Sequence, residues 1–135
     1  MAKILLADDD EDMREICSRF LTARGHELHL AVNAADAVKL ALTCHPELIL
    51  MDMRMPEKDG GNVNDQAGLG ATKEIRAVEE LKHVPIVALT GHNMRNFKES
   101  ILAAGCCEVF PKPIQQLMDL EALIKRNLKP APPAP

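Results

Sequence analysis

Ile4-Leu5-Leu6-Ala7-Asp8-Asp9-Asp10 is four apolar residues followed by three acids. Leu48-Ile49-Leu50-Met51-Asp52 repeats the pattern. A short apolar run closed by an acid reads as a buried parallel strand whose C-terminal end holds a polar site. In an open α/β sheet that edge is where ligands bind. Acids meeting there repel one another unless a proton or a divalent cation holds them together. An oxygen-only cluster suits a hard cation such as Mg²⁺. Lys112, set between Pro111 and Pro113 after a third short run, is the matching positive charge.

Outward from these runs the pattern alternates. Lys3–Ala7 reads as a strand. Met13, Ile16, Cys17, Phe20 and Leu21 form the apolar face of a helix, and Gly25 stops it. Leu28–Val32 is a second strand, and Asn33 caps a helix to about Thr43 with Ala34, Ala35, Val38, Ala41 and Leu42 inward. Pro46 precedes a third strand, Leu48–Met51. Glu57–Gly68, rich in Gly, Asn and Asp, reads as a long loop before a helix over Leu69–Leu81. Ile86–Leu89 is a fourth strand. A helix near Met94–Ala104 with Phe97, Ile101 and Leu102 inward ends at Gly105. Glu108–Phe110 is a fifth strand and Ile114–Leu128 the last helix, its face made by Leu117, Leu120, Ile124 and Leu128. Pro130–Pro135 is a proline-rich tail. Strands alternating with helices predict an α/β fold, a doubly wound five-stranded parallel sheet with five helices.

The bulk properties narrow the function. A chain of 135 residues, 47% apolar, has enough length for one packed domain over residues 1–128, with 129–135 as the tail. A net charge of −4 and the absence of Trp and Tyr argue against direct nucleic-acid binding. No apolar run is long enough to span a bilayer and no secretory leader is visible, so a cytoplasmic protein without membrane contact is expected. Cys17, Cys44, Cys106 and Cys107 lack zinc-type spacing and read as reduced thiols, the adjacent last two being the alternative of a strained redox pair.

Each candidate site residue has a plain and a functional reading. Asp8 and Asp9 either cap the following helix or bind a cation; three consecutive acids exceed what capping needs, and Asp10 is the better cap. Asp52 is either an acid satisfied by loop amides, a metal ligand, or a nucleophile able to form an acyl-phosphate. Thr90 either simply ends its strand or offers a hydroxyl to a phosphoryl oxygen, with Gly91 leaving space beside it. Lys112 is either solvated or neutralises phosphate charge.

Taken together, Ile4–Asp9, Leu48–Pro56, Gly68–Arg76, Val84–Thr90 and Lys112-Pro113, in that order and spacing, resemble a response-regulator receiver domain of two-component signalling, over about Lys3 to Leu128. The resemblance implies the flavodoxin-like receiver fold and Asp52 as phosphoacceptor. It also implies Mg²⁺ bound by Asp9, by Asp8 through water, by Asp52 and by the Arg54 main-chain carbonyl, with Thr90 and Lys112 on the phosphoryl group. The partners implied are a histidine kinase or histidine phosphotransfer protein and a downstream protein target. The chain would then be a stand-alone interaction switch that catalyses its own phosphorylation and slow dephosphorylation, without turnover of an external substrate.

Three departures stand out. Gly61–Gly68 appear inserted, and a surface loop dispensable for the fold is expected there, a partner-contact element being the alternative. Val109 occupies the position of the family's aromatic switch, so a relay without an aromatic rotamer change is expected, through Thr90, the segment after Gly91 or the loop beyond Pro56. Arg54 and His92 each stand two residues past a site residue, where they are either solvated or near the phosphoryl group. The alternatives are a degenerate receiver-fold interaction module, and a phosphohydrolase of the haloacid-dehalogenase type. The latter is met only by Asp8-x-Asp10, lacks the usual Gly-Thr and has no room for a cap domain. A nucleotide-binding fold is weaker still, with Gly68-Leu69-Gly70 lacking its third glycine.

Overall fold

A computed structural model describes residues 2–91, 97–112, 114 and 116–128. Five parallel strands, β1 (Lys3–Ala7), β2 (Glu27–Ala31), β3 (Leu48–Asp52), β6 (Ile86–Thr90) and β7 (Glu108–Pro111), form one sheet in the order β2-β1-β3-β6-β7. The helices are α1 (Glu11–Ala23), α2 (Ala34–Cys44), α3 (Ala67–Arg76), α4 (Lys98–Ala104) and α5 (Leu117–Asn127). Two short strands, β4 (Met55–Pro56) and β5 (Val63–Asn64), pair antiparallel outside the main sheet.

The strands are apolar throughout because both faces of the sheet are covered. Alternate residues enter two separate cores. Ile4, Leu6, Leu48, Leu50, Val87 and Leu89 pack with Cys17 and Leu21 of α1 and Leu120, Leu123 and Ile124 of α5. Leu5, Ala7, Ile49, Met51, Ile86 and Ala88 face the opposite way, toward α2, α3 and α4. The chain leaves β1 toward β2 on one side and then crosses to β3 on the other. The C-terminal ends of β1 and β3 therefore flank the switch point where such sheets hold ligands. Ala7 lies beside Met51, and Asp52 beside Leu89, so Asp8 and Asp52 leave adjacent strands at nearly the same level.

The expected caps form. Asp10 Oδ1 accepts the N–H groups of Asp12 and Met13, and Asn33 Oδ1 accepts that of Asp36. Gly25 adopts φ +89°, the left-handed conformation that glycine takes after a helix.

Several expectations are corrected. The second strand ends at Ala31, one residue before Val32, while the third, fourth and fifth run on to Asp52, Thr90 and Pro111. Ile16, Ala35, Leu42, Phe97 and Leu102 lie at the surface, and Ala37, not Ala35, faces inward from α2. The covered stripes of α1, α2 and α4 are narrower than the apolar stripes of the sequence. The third helix stops at Arg76 and a separate 3₁₀ turn covers Glu79–Leu81. The Arg76 guanidinium donates to the carbonyls of Gly105 at 2.9 Å and Leu81 at 3.0 Å, holding the chain where it turns away. The last helix starts at Leu117, not Ile114. The starting point expected for the fourth helix, Met94, lies outside the described residues, as do His92, Pro113 and residues 129–135.

The largest correction concerns Glu57–Gly68. Val63 and Asn64 pair with Pro56 and Met55, and α3 begins at Ala67. Gly68 is buried, donates its N–H to the Met53 carbonyl at 3.1 Å, and has no room for a side chain. A Cβ there would meet the Asp52 carbonyl oxygen at 2.2 Å and the Met53 Cα at 2.6 Å. The end of the proposed insertion is thus packed against the backbone that carries Asp52, and removing Gly61–Gly68 as a block would remove the first two residues of α3. Gly68→Ala is expected to destabilise the protein by roughly 2–4 kcal/mol through overpacking against unyielding backbone. Urea unfolding checks this; a midpoint unchanged from the parent would mean that α3 moves away from β3 freely.

Candidate functional site

The site is built by three strand ends. Asp8 follows β1 and is fully buried (0% exposed); Asp52 ends β3 and is 3% exposed. Lys112 follows β7, held by its N–H donating to the Thr90 carbonyl at 2.6 Å. Its ammonium donates to Asp8 Oδ2 and to Asp52 Oδ2, each at 3.1 Å. The remaining carboxylate oxygens accept main-chain donors: Asp8 Oδ1 accepts Asp10 N–H at 2.9 Å, and Asp52 Oδ1 accepts Arg54 N–H at 3.2 Å.

The charges do not balance. Two buried carboxylates share one ammonium, and Asp9, exposed at the rim, adds a third acid. One oxygen from each of Asp8, Asp9 and Asp52 lies within 4.8 Å of the others. Burial pushes the Asp52 carboxyl up, and the Asp8 carboxylate pushes it further. Lys112 and the Arg54 N–H pull it back, leaving it at about 7 against an ordinary 3.8. Burial alone would lower the Lys112 ammonium, but Asp52 and Asp8 outweigh it and hold it above its usual range. Three hard oxygen donors with uncompensated charge fit a small divalent cation.

The space above the acids is a cavity of about 430 Å³, lined among others by Asp9, Asp52, Arg54, Gly91 and Lys112. Thr90 is buried at the end of β6, its strand register placing it beside Pro111 and so next to the base of Lys112. Asp8, Asp9, Asp52, Thr90 and Lys112 therefore meet at one sheet edge, with Arg54 on the wall of the cavity above them. Val63 also lines the cavity, and Asp65 pairs with Arg54; sequence reasoning placed both in a surface loop and gave neither a part in the site. The one available signal was that Val63 is the sole large apolar residue between Pro56 and Leu69.

Val109 packs in the core shared with α2–α4 and Phe110 in the core of α1 and α5, so the two face opposite ways. All four cysteines are free; Cys106 is buried and its thiol is pushed up to about 11, mainly by that burial.

Comparison with known proteins places this geometry. The family model for the response regulator receiver domain matches residues 4–125. The polar-differentiation response regulator DivK of Brucella ovis is 32% identical over 111 residues, covering 82% of this chain and 84% of that one. Among solved structures, the receiver domain of the sensor histidine kinase PA1611 from Pseudomonas aeruginosa PAO1 is 30% identical with a TM-score of 0.80, covering 94% and 97% of the two chains. That structure has magnesium coordinated in its active-site cleft. The chemotaxis protein CheY4 of Vibrio cholerae is 26% identical with a TM-score of 0.81, covering 95% and 99%. Among the described residues no helix is long and apolar enough to cross a membrane.

The folded chain holds the Asp52 proton more tightly than the unfolded chain. Raising the pH from about 4 to about 7 therefore costs the metal-free protein stability. Asp52→Asn removes that cost and leaves Lys112 paired with Asp8. The variant is expected to be more stable than the parent by roughly 1–3 kcal/mol at pH 8 without divalent metal, and nearly equal to it at pH 4. Thermal unfolding of both chains across that range is the check; equal stability at pH 8 would show that Lys112 fully compensates both acids.

Proposed function

The chain belongs to the response regulator receiver domain family, and from that premise we propose that Asp52 is its phosphoacceptor, with Asp8, Asp9, Asp52 and the Arg54 main-chain carbonyl holding Mg²⁺. A receiver domain of a two-component system takes up a phosphoryl group, and Asp52 is the residue we assign to it. The observation that carries it is the shared ammonium: Lys112 bonds both Asp8 and Asp52, so the acceptor and its charge partners already converge.

In this reading an oxygen of ionised Asp52 attacks phosphorus in line with the bond to the donor, a phosphohistidine imidazole of a histidine kinase or phosphotransfer protein. The Asp52 O–P bond forms, the P–N bond breaks, and the imidazole takes a proton as it leaves. Lys112 shifts from the Asp52 carboxylate to a phosphoryl oxygen while keeping Asp8. The Thr90 hydroxyl offers a further hydrogen bond at the strand end. A bound Mg²⁺ supplies positive charge that favours ionised Asp52 and offsets charge on the transferring oxygens. Positioning and electrostatics then do most of the work, because the phosphoryl group needs little covalent help. The same cavity admits water for slow hydrolysis, so the chain acts on its own acyl-phosphate and not on an external substrate. The output is a changed surface for a downstream protein, in the cytoplasm. The degenerate reading is not favoured, since acids, threonine and lysine are all in place.

With Val109 small and stiff, the relay does not use an aromatic side chain turning in β7. Any shift of population comes from the phosphoryl group's different contacts in two states, at Thr90, Lys112 or the Arg54 rim.

Two substitutions test the assignment. Incubated with Mg²⁺ and acetyl phosphate, the parent chain is expected to gain one phosphoryl mass, and Asp52→Asn none. Asp9→Ala is expected to keep its fold but lose at least tenfold in Mg²⁺ affinity and in transfer rate. Intact-mass spectrometry reads both. Full labelling of Asp52→Asn, mapped to another residue, would overturn the acceptor assignment.

A further inference from the structure

The β4–β5 hairpin is part of the site's wall. Its base is rooted: Met55 is fully buried, Glu57 O accepts the Ala35 N–H at 2.8 Å, and Asn33 Nδ2 donates to Asp59 Oδ1 at 2.9 Å. Its return arm is tied as well, with Asn64 Nδ2 donating to Glu57 Oε1 at 3.2 Å and Asn64 Oδ1 accepting the Gln66 N–H at 2.6 Å. Between these ties stand Val63, which lines the cavity over Asp52, and Asp65, whose Oδ1 lies 3.1 Å from Arg54 Nε. Arg54 lines that same cavity, two residues beyond the acceptor. The Arg54 and Asp65 side chains are 60% and 52% exposed, so the pair is worth little in stability and is easily exchanged.

Resting on the reading of Asp52 as phosphoacceptor, we propose that Arg54 is an anion-binding residue for the incoming phosphoryl group, and that Asp65 is the positioning residue that holds it at the rim. A guanidinium matches phosphoryl oxygens with paired donors, and those oxygens carry more charge than one exposed carboxylate. Arrival of a phosphodonor therefore sets up a competition for Arg54. While Asp65 holds it, the mouth presents a neutralised cation beside three acids, which disfavours small anionic donors. When the phosphoryl group takes it, Asp65 is released, and the hairpin loses its tie to the rim while its base stays anchored. The chemistry of this insertion is thus selection among donors by their charge, with the hairpin surface altered by the outcome.

The test uses acetyl phosphate with Mg²⁺ and reads phosphorylation rates by intact mass; the Asp52 O–P bond forms as the acetyl O–P bond breaks, leaving acetate. Asp65→Asn is expected to raise the rate at low acetyl phosphate about two- to fivefold, the range an exposed ion pair supplies, with the rate at saturation unchanged. Asp65→Glu should behave as the parent. Arg54→Gln should lower the rate at low donor, and Arg54→Gln/Asp65→Asn should match Arg54→Gln alone. An unchanged rate in Asp65→Asn would overturn the proposal. So would the same gain from Asp65→Asn with Arg54 replaced, because the acid would then act by its own charge and not through Arg54. If no chain gains mass, the parent included, the phosphoacceptor reading falls and this proposal falls with it; if the parent gains mass and only the Asp65 effects are missing, the phosphoacceptor reading stands.

Discussion

One ammonium shared by two buried carboxylates is the constraint around which the rest of this protein is arranged. Lys112 reaches Asp8 and Asp52 at equal distance, from a chain segment far from either in sequence. Burying two acids without sufficient opposite charge is costly, and a single lysine leaves the cluster negative. The fold accepts that cost at the one edge where all five strands end. The parallel register of β1 and β3 sets the two acids side by side; the β6–β7 register brings Pro111, and with it Lys112, to Thr90. What remains is an electrostatic deficit with a shape, beneath a cavity lined by Asp9, Asp52, Arg54 and Lys112.

Much of this was legible in the sequence, because the governing features are local and chemical. An apolar run four or five residues long and closed by acids has few other structural meanings, and such runs located the strand ends. The caps at Asp10 and Asn33 and the stop at Gly25 follow from side-chain and backbone chemistry within a single turn. Lys112 stood out because prolines fix the chain on both sides of it.

The remainder depends on packing, which periodicity does not report. Ile16 and Leu42 lie on apolar stripes, yet no element among the described residues covers them. Gly68 reads as one more flexible residue in a polar loop; only the 2.2 Å that would separate an added Cβ from the Asp52 carbonyl oxygen reveals that the absence of a side chain there lets α3 sit against β3. Val63 and Asp65 belong to a stretch without a period, so their convergence on the site became visible only when the hairpin was seen to fold back. Composition reads that segment as a surface loop, while its C-terminal end, Ala67 and Gly68, is buried and its middle is the site's outer wall.

Magnesium titration followed through the backbone amide signals tests the central claim, that the uncompensated charge of Asp8, Asp9 and Asp52 is a cation site awaiting a phosphoryl group. The account predicts saturable changes at Asp8–Asp10, Met53–Arg54 and Lys112, abolished when calcium and magnesium are chelated and reproduced by no monovalent salt. Changes spread evenly over the surface acids, or centred on Glu79-Glu80 with the strand ends silent, would contradict it.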